Sequence, residues 1–161
     1  MRNLVAEAKA QYKELIIKAV NEAIAAGELP EGEIPAFNIE IPADNKNGDL
    51  ASNAAMVSAK AFRKAPRQIA DAICAHMNLE GTYFEKAEVA GPGFLNVFYA
   101  PHWFAETVSA VLTEDEKYGT SDVGEGKKVM VEFVSANPTG PMHMGNARGG
   151  TIGDGLAEAM K

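Results

Sequence analysis

The stretch "TYFEKAEVAGPGFLNVFYA", residues 82–100, decides how the larger part of the chain is read. Its middle, Gly91-Pro92-Gly93, joins two strong breakers of regular structure. The flanking runs are rich in Phe, Tyr and Val, which suit a pleated, half-buried surface. Two strands around a turn are predicted. Side chains alternate along a strand, so Phe94, Asn96 and Phe98 share one face of the second strand, and Leu95, Val97 and Tyr99 share the other.

Working upstream, Leu4, Ala8, Tyr12, Leu15, Ile16, Ala19, Val20 and Ala23 recur at intervals of three and four, which lays one apolar stripe along a long helix. Gly27 and Pro30 end it. "FNIEIPAD" alternates Phe37, Ile39 and Ile41 with Asn38 and Glu40, the period of a strand. Asp49 is expected to cap a second helix carrying Leu50, Ala54, Val57 and Ala61 on one face. Pro66 opens a third, with Ile69, Ile73 and Met77 inward. Downstream, Pro101 opens a fourth, with Phe104, Val108 and Val111 expected inward. Helices interleaved with strands and closed by an antiparallel pair describe an α+β domain with a small antiparallel sheet. Its span is taken as residues 1–112.

At 161 residues the chain has room for this domain plus part of another. Apolar residues at 47% and charged ones at 23% fit a folded globular chain. A formal charge of −7 opposes indiscriminate binding to phosphate backbones. The cluster "AKAFRKAPRQ", with Lys60, Arg63, Lys64 and Arg67, is a local exception that could meet phosphates or simply be solvated. The single cysteine, Cys74, excludes an internal disulfide framework and a multi-cysteine zinc site, and its apolar neighbours suit a buried, inert thiol. No run is long enough for a membrane span and the N-terminus is no secretory signal, so the expected setting is cytoplasmic. No bound metal is expected.

Residues 113–126 are polar and glycine-bearing, as a linker should be. After them "KVMVEFVS" is nearly continuous in apolar residues, which fits a parallel strand buried on both faces. The chain then continues "ANPTGPMHMGNARGGTIGD". Strand, glycine-rich loop and helix in that order make the start of a nucleotide-binding α/β layer over residues 127–161. Gly149, Gly150, Gly153 and Gly155 each weaken the helix by roughly 1 kcal/mol relative to alanine. Either a ligand approaches the backbone at the helix start, or the glycines let the helix pack tightly on a strand. Pro138, Gly140 and Pro141 stiffen the loop that carries His143, whose imidazole can donate to phosphate oxygens.

"ANPTGPMHMGN", Ala136 to Asn146, with the "VEFVS" strand before it and "ARGG" after it, resembles the ATP-binding signature of class I aminoacyl-tRNA synthetases in its arginyl-tRNA synthetase form. "GDLASNAAM", Gly48 to Met56, and "AGPGFLNVFY", Ala90 to Tyr99, are similar to segments of that family's N-terminal domain. The resemblance covers essentially the whole chain. It implies a ligase that joins L-arginine to tRNA(Arg) through an arginyl-adenylate, with ATP as substrate accompanied by Mg2+. On the matching positions His143 and Asn146 are implied catalytic, His143, Gly145 and Asn146 ATP-binding, and Glu132, Ser135 and Asn137 arginine-binding. Phe94 and Asn96 are implied to contact the tRNA D-loop. Asn146 stands where the signature usually has its second histidine.

The family's later catalytic and anticodon-binding regions have no counterpart in these residues. The expectation is therefore a truncated start of a Rossmann-like catalytic domain, inactive alone, with its strand over 129–134 unpaired and residues 127–161 loosely docked or self-associating. The full-length enzyme is expected to be a monomer. Two other readings stay open: a freestanding RNA-binding module, and a nucleotidyltransferase with a similar His-x-Gly-His turn.

Overall fold

The computed structural model describes residues 2–160, which form two compact units, one ending at Tyr118 and the other beginning at Gly119. In the first unit, α1 (Leu4–Ala25) starts at Asn3, whose side-chain oxygen accepts from the Ala6 N–H at 3.0 Å. That bond satisfies one of the donors a helix start leaves unpaired. The apolar stripe is the buried face, with Leu4, Ala8, Tyr12, Ile16, Ala19, Val20 and Ala23 inside and Leu15 half-buried. Gly27 takes φ +74°, and the next two N–H groups, of Glu28 and Leu29, fold back onto the Ala23 carbonyl at 2.9 and 3.1 Å. The left-handed residue that ends the helix is a glycine because it has no Cβ to clash.

A four-stranded antiparallel sheet lies beside the helices in the order β1-β2-β4-β3. Its strands are β1 (Ile39–Glu40), β2 (Leu50–Ser52), β3 (Phe84–Ala90) and β4 (Phe94–Tyr99). The hairpin expected over residues 82–100 is β3 and β4, paired from Ala90↔Phe94 to Phe84↔Tyr99 with one irregularity between Phe84 and Lys86. Leu95 and Val97 enter the core with Leu50, while Asn96 lies across the ladder from Ala51 on one side and Glu88 on the other. The Tyr12 hydroxyl, fully buried, donates to the Leu95 carbonyl at 2.8 Å and ties α1 to β4.

Asp49 does not cap a helix. Its N–H donates to the Val97 carbonyl at 2.9 Å and its carboxylate accepts from the Tyr99 N–H at 2.7 Å, so it extends the pairing of β4 beyond the end of β2. Gly48 before it has φ +86° and ψ −173°, a conformation open essentially to glycine alone. A Cβ there would stand 2.7 Å from the Val97 oxygen. The expected second helix is thereby divided: Leu50–Ser52 is strand, and two short helices follow, α2 (Ala54–Val57) and α3 (Ala59–Phe62).

Proline opens α4 (Pro66–Ala75) and α5 (Pro101–Glu114), where a missing N–H costs nothing. Ile69, Ala70 and Ile73 of α4 are buried as the spacing requires. On α5 the expected face is corrected. Phe104, Val108 and Val111 are exposed, at 51%, 58% and 39%, and Trp103 is the buried residue. Trp103 stacks on Tyr99 with ring centroids 3.9 Å apart and planes within 5°, a large stacking contact that fixes the helix's rotation. Burial, with Asp49 nearby, pushes the Tyr99 hydroxyl up to about 12, and burial raises that of Tyr12 further.

In the second unit the expected strand over 129–134 does not form among the described residues. The segment runs without ladder partners and leaves Val129 and Met130 exposed at 62% and 92%. A strand buried on both faces needs neighbours for its N–H and C=O groups, and no strand of this unit supplies them among the described residues. Val134 takes φ +58°, rare for a β-branched residue, and the Ala136 N–H closes on its carbonyl at 2.8 Å. The helix that follows, α6 (Met144–Ala159), forms as expected. Of the expected strand, loop and helix, only the loop and the helix are present among the described residues.

Candidate functional site

Two clefts gather the residues singled out in the sequence, one in each unit. The first lies on the face of the sheet opposite the helices, where a cavity of about 390 Å³ is bounded by β1, β2 and β4, the loop bearing Pro42, Ala43 and Asn47, and the turn bearing Gly91 and Pro92. Phe94 and Asn96 both line it. They do so because β4 alternates, sending Leu95 and Val97 to the core and Phe94 and Asn96 to the cleft. Ala51, directly across the ladder, keeps the floor open above Asn96.

Asn96 is 3% exposed, and its amide oxygen has no hydrogen-bond partner. An unsatisfied buried acceptor costs roughly 1–3 kcal/mol, so a donor that reached this oxygen would recover that cost. A half-buried ring at Phe94 and an unpaired acceptor at Asn96 suit a flat partner that carries an N–H edge. The other residues of this cleft carry little signal in the sequence. Ala51 lies in an alanine-rich run and Glu40 reads as the outer residue of an alternating strand.

In the second unit, Ser135, Asn137, His143 and Asn146 line one cleft of about 410 Å³ together with the stiff Thr139–Met142 loop. His143 is the residue before α6. Its Nδ1 accepts from the Gly145 N–H at 3.1 Å, and the Asn146 side-chain oxygen accepts from the His143 N–H at 3.2 Å, a reciprocal capping box. Because Nδ1 is an acceptor here, the ring proton belongs on Nε2, which is left as an outward donor. Asn146 therefore closes the helix start from its own side chain.

Gly145 serves the same turn. A Cβ at that position would stand 2.9 Å from His143 Cε1, so the glycine makes room for the imidazole itself. Glu132 lies outside any strand and accepts from the Ser135 hydroxyl, so it is not a carboxylate stranded among apolar neighbours in a sheet. Neither Glu132 nor Gly145 lines the cleft. The helix glycines divide. Gly153 packs on Phe133, where a Cβ would come within 2.2 Å of that side chain's own Cβ, and Gly150 touches Val134, whereas Gly149 and Gly155 meet nothing within 4 Å. Close packing therefore accounts for two of the four.

Elsewhere, the Cys74 thiol is half-buried, points its sulfur at the Ala87 carbonyl at 3.7 Å, and is pushed up by burial, then by Asp71 and Glu88. Among the described residues no group of three or more His, Cys, Asp or Glu could hold a metal ion, and no helix is long and apolar enough to cross a membrane.

Comparison with known proteins agrees with the family resemblance. The family model described as the arginyl tRNA synthetase N terminal domain matches residues 10–99. The chain is 47% identical over 161 residues to the arginine-tRNA ligase of Acetivibrio thermocellus, covering 100% of this chain and 28% of that protein. It is 50% identical over 160 residues to that of Caldanaerobacter subterraneus, covering 99% and 28% respectively. A crystal structure of arginyl-tRNA synthetase from Plasmodium falciparum shares the fold at a TM-score of 0.51 and 19% identity, over 92% of this chain and 27% of that one. The chain thus spans 28% of the length of the curated relatives it matches. Together with the antiparallel sheet and its cleft, these matches show that the chain belongs to the arginyl-tRNA synthetase family and carries that family's N-terminal domain.

Proposed function

We propose that the chain is the tRNA-facing N-terminal part of an arginine-tRNA ligase, a cytoplasmic enzyme that joins L-arginine to tRNA(Arg) with ATP. The observation that carries the reading is the buried, unpartnered Asn96 oxygen beside Phe94 in a cleft of the family's N-terminal domain. A base turned out of the tRNA D-loop stacks on Phe94 and gives its N–H edge to Asn96. Residues 1–112 act as this recognition domain and residues 113–126 as the linker. Relatives named as ligases favour neither the freestanding RNA-binding module nor the nucleotidyltransferase.

Residues 127–161 belong, in the same proposal, to the first strand, loop and helix of a Rossmann-like catalytic domain. The strand over 129–134 pairs only when neighbouring strands are beside it. The outward Nε2 of His143 suits contact with ATP phosphates, which Mg2+ accompanies; the Gly145 N–H holds the imidazole, Asn146 holds the His143 backbone N–H, and Ser135, Asn137 and Glu132 are assigned to the arginine. The cap geometry around His143 supports this assignment.

The test is equilibrium binding of the chain to arginine tRNA and to the same tRNA altered in its D-loop, at two salt concentrations. A preference for the intact D-loop that persists at the higher salt is expected, since base contacts weaken less than phosphate contacts as salt rises. Equal binding to both, vanishing with salt, overturns the reading.

A further inference from the structure

We propose that Arg67 is a positioning residue for the sheet cleft: it holds the Gly91–Gly93 turn that forms the cleft's wall next to Phe94. The inference rests on the tRNA reading above and adds a residue that the family resemblance does not assign. The turn is fastened to the start of α4 at two points. Arg67 Nη1 donates to the Gly91 carbonyl at 3.1 Å. Gly93, at φ +133°, sits so near α4 that a Cβ on it would be 2.9 Å from the carbonyl carbon and oxygen of Pro66. Pro66 is the fixed first residue of α4, whose Ile69, Ala70 and Ile73 are anchored in the core, so the turn is referred to a rigid element.

The consequence reaches the cleft through chain connectivity. Gly91 and Pro92 are wall residues, and Phe94 follows Gly93 directly. Without the Arg67 bond, Gly91 has no side chain within 4 Å of where a Cβ would be to restrain it, and the wall gains freedom that a bound base must remove again. Among the described residues Arg67 otherwise pairs on its own helix, with Asp71 at 3.5 Å. Its side chain is 55% exposed, so its replacement leaves the core untouched.

The competing role for Arg67 is a direct phosphate contact, and the two differ in what they read. The experiment compares the chain with its Arg67→Met variant in two measurements. Without RNA, backbone amide NMR should show residues 90–94 more mobile and the Asn96 side-chain amide shifted; unchanged order parameters and an unchanged Asn96 signal overturn the clamp. With RNA, R67M should weaken binding to intact arginine tRNA about three- to tenfold, the effect of one ordinary hydrogen bond, and should not change binding to the D-loop-altered tRNA. Weakening of equal size on both RNAs, with a salt slope reduced by about one, makes Arg67 a phosphate contact and refutes positioning. Indifference of the unmodified chain to the D-loop refutes the tRNA reading itself, and with it the site that Arg67 is said to position.

Discussion

Replacing Gly48 by alanine tests how the family segment Gly48–Met56 is locked to the sheet. At φ +86° and ψ −173° the backbone alone opposes any side chain, by about 1–3 kcal/mol. The new methyl would also meet the Val97 oxygen at 2.7 Å and its carbon at 3.3 Å. Both are backbone atoms of the central strand β4, so the neighbour cannot swing aside, and overpacking of this kind adds about 1–3 kcal/mol. A total of roughly 2–6 kcal/mol is a large share of a domain stability of about 5–15 kcal/mol. The matched control is Gly81→Ala. Gly81 also has a positive φ, +72°, but nothing lies within 4 Å of its would-be Cβ, so only about 1–2 kcal/mol of backbone strain is expected. Urea unfolding followed by the single tryptophan, Trp103, reads both variants. With a slope of about 1–3 kcal/mol per molar, G48A should fall below G81A by on the order of 1 M in midpoint. Equal midpoints would show that the close approach to Val97 is not felt and refute the lock.

Other outcomes follow from the same geometry. Tyr12→Phe removes the bond to the Leu95 carbonyl and should cost about 1 kcal/mol by urea unfolding. Tyr12 and Tyr99 both have raised values in the fold, so the folded state keeps their protons longer than the unfolded one; stability should be complete below the ordinary tyrosine value of 10.0 and fall as pH rises above it. Urea midpoints between about pH 8 and pH 11 check this, and Y12F should flatten the decline. Cys74, held up by burial and two nearby carboxylates, should react with a thiol reagent more slowly at about pH 8 than a free cysteine, and urea should restore the rate. In α6, Gly149→Ala should raise helicity by circular dichroism, worth about 1 kcal/mol, whereas Gly153→Ala should displace the Phe133 ring, visible in its NMR signals.

Elements whose signals are local and strong are legible in the sequence. The stripe of α1, the prolines that open α4 and α5, and the turn between β3 and β4 each satisfy a rule that tertiary contacts do not compete with. β2 is hidden because Leu50, Ala54, Val57 and Ala61 sit at helical spacing, and it is pairing with β1 and β4, prolonged by the Asp49 bonds, that makes Leu50–Ser52 a strand. On α5 the spacing of Phe104, Val108 and Val111 describes an apolar stripe, but the stacking of Trp103 on Tyr99 decides which face turns inward. For Val129–Val134 the apolar composition points to a strand, and a strand cannot exist without a neighbour to pair with. The candidate site divides in the same way. Phe94 and Asn96 share a face by simple alternation, whereas Arg67's bond to Gly91 crosses elements and leaves no mark in the sequence.

The most direct measurement of the central claim pairs stability with affinity in Asn96→Ala. The Asn96 oxygen is a buried acceptor without a partner in the free chain, so its removal should leave the urea midpoint unchanged or raised. Binding to arginine tRNA should weaken by about 1–3 kcal/mol, the cost of leaving the N–H edge of the base unpaired. An unaltered affinity, or an affinity that falls only in step with stability, would contradict the assignment of the cleft to tRNA.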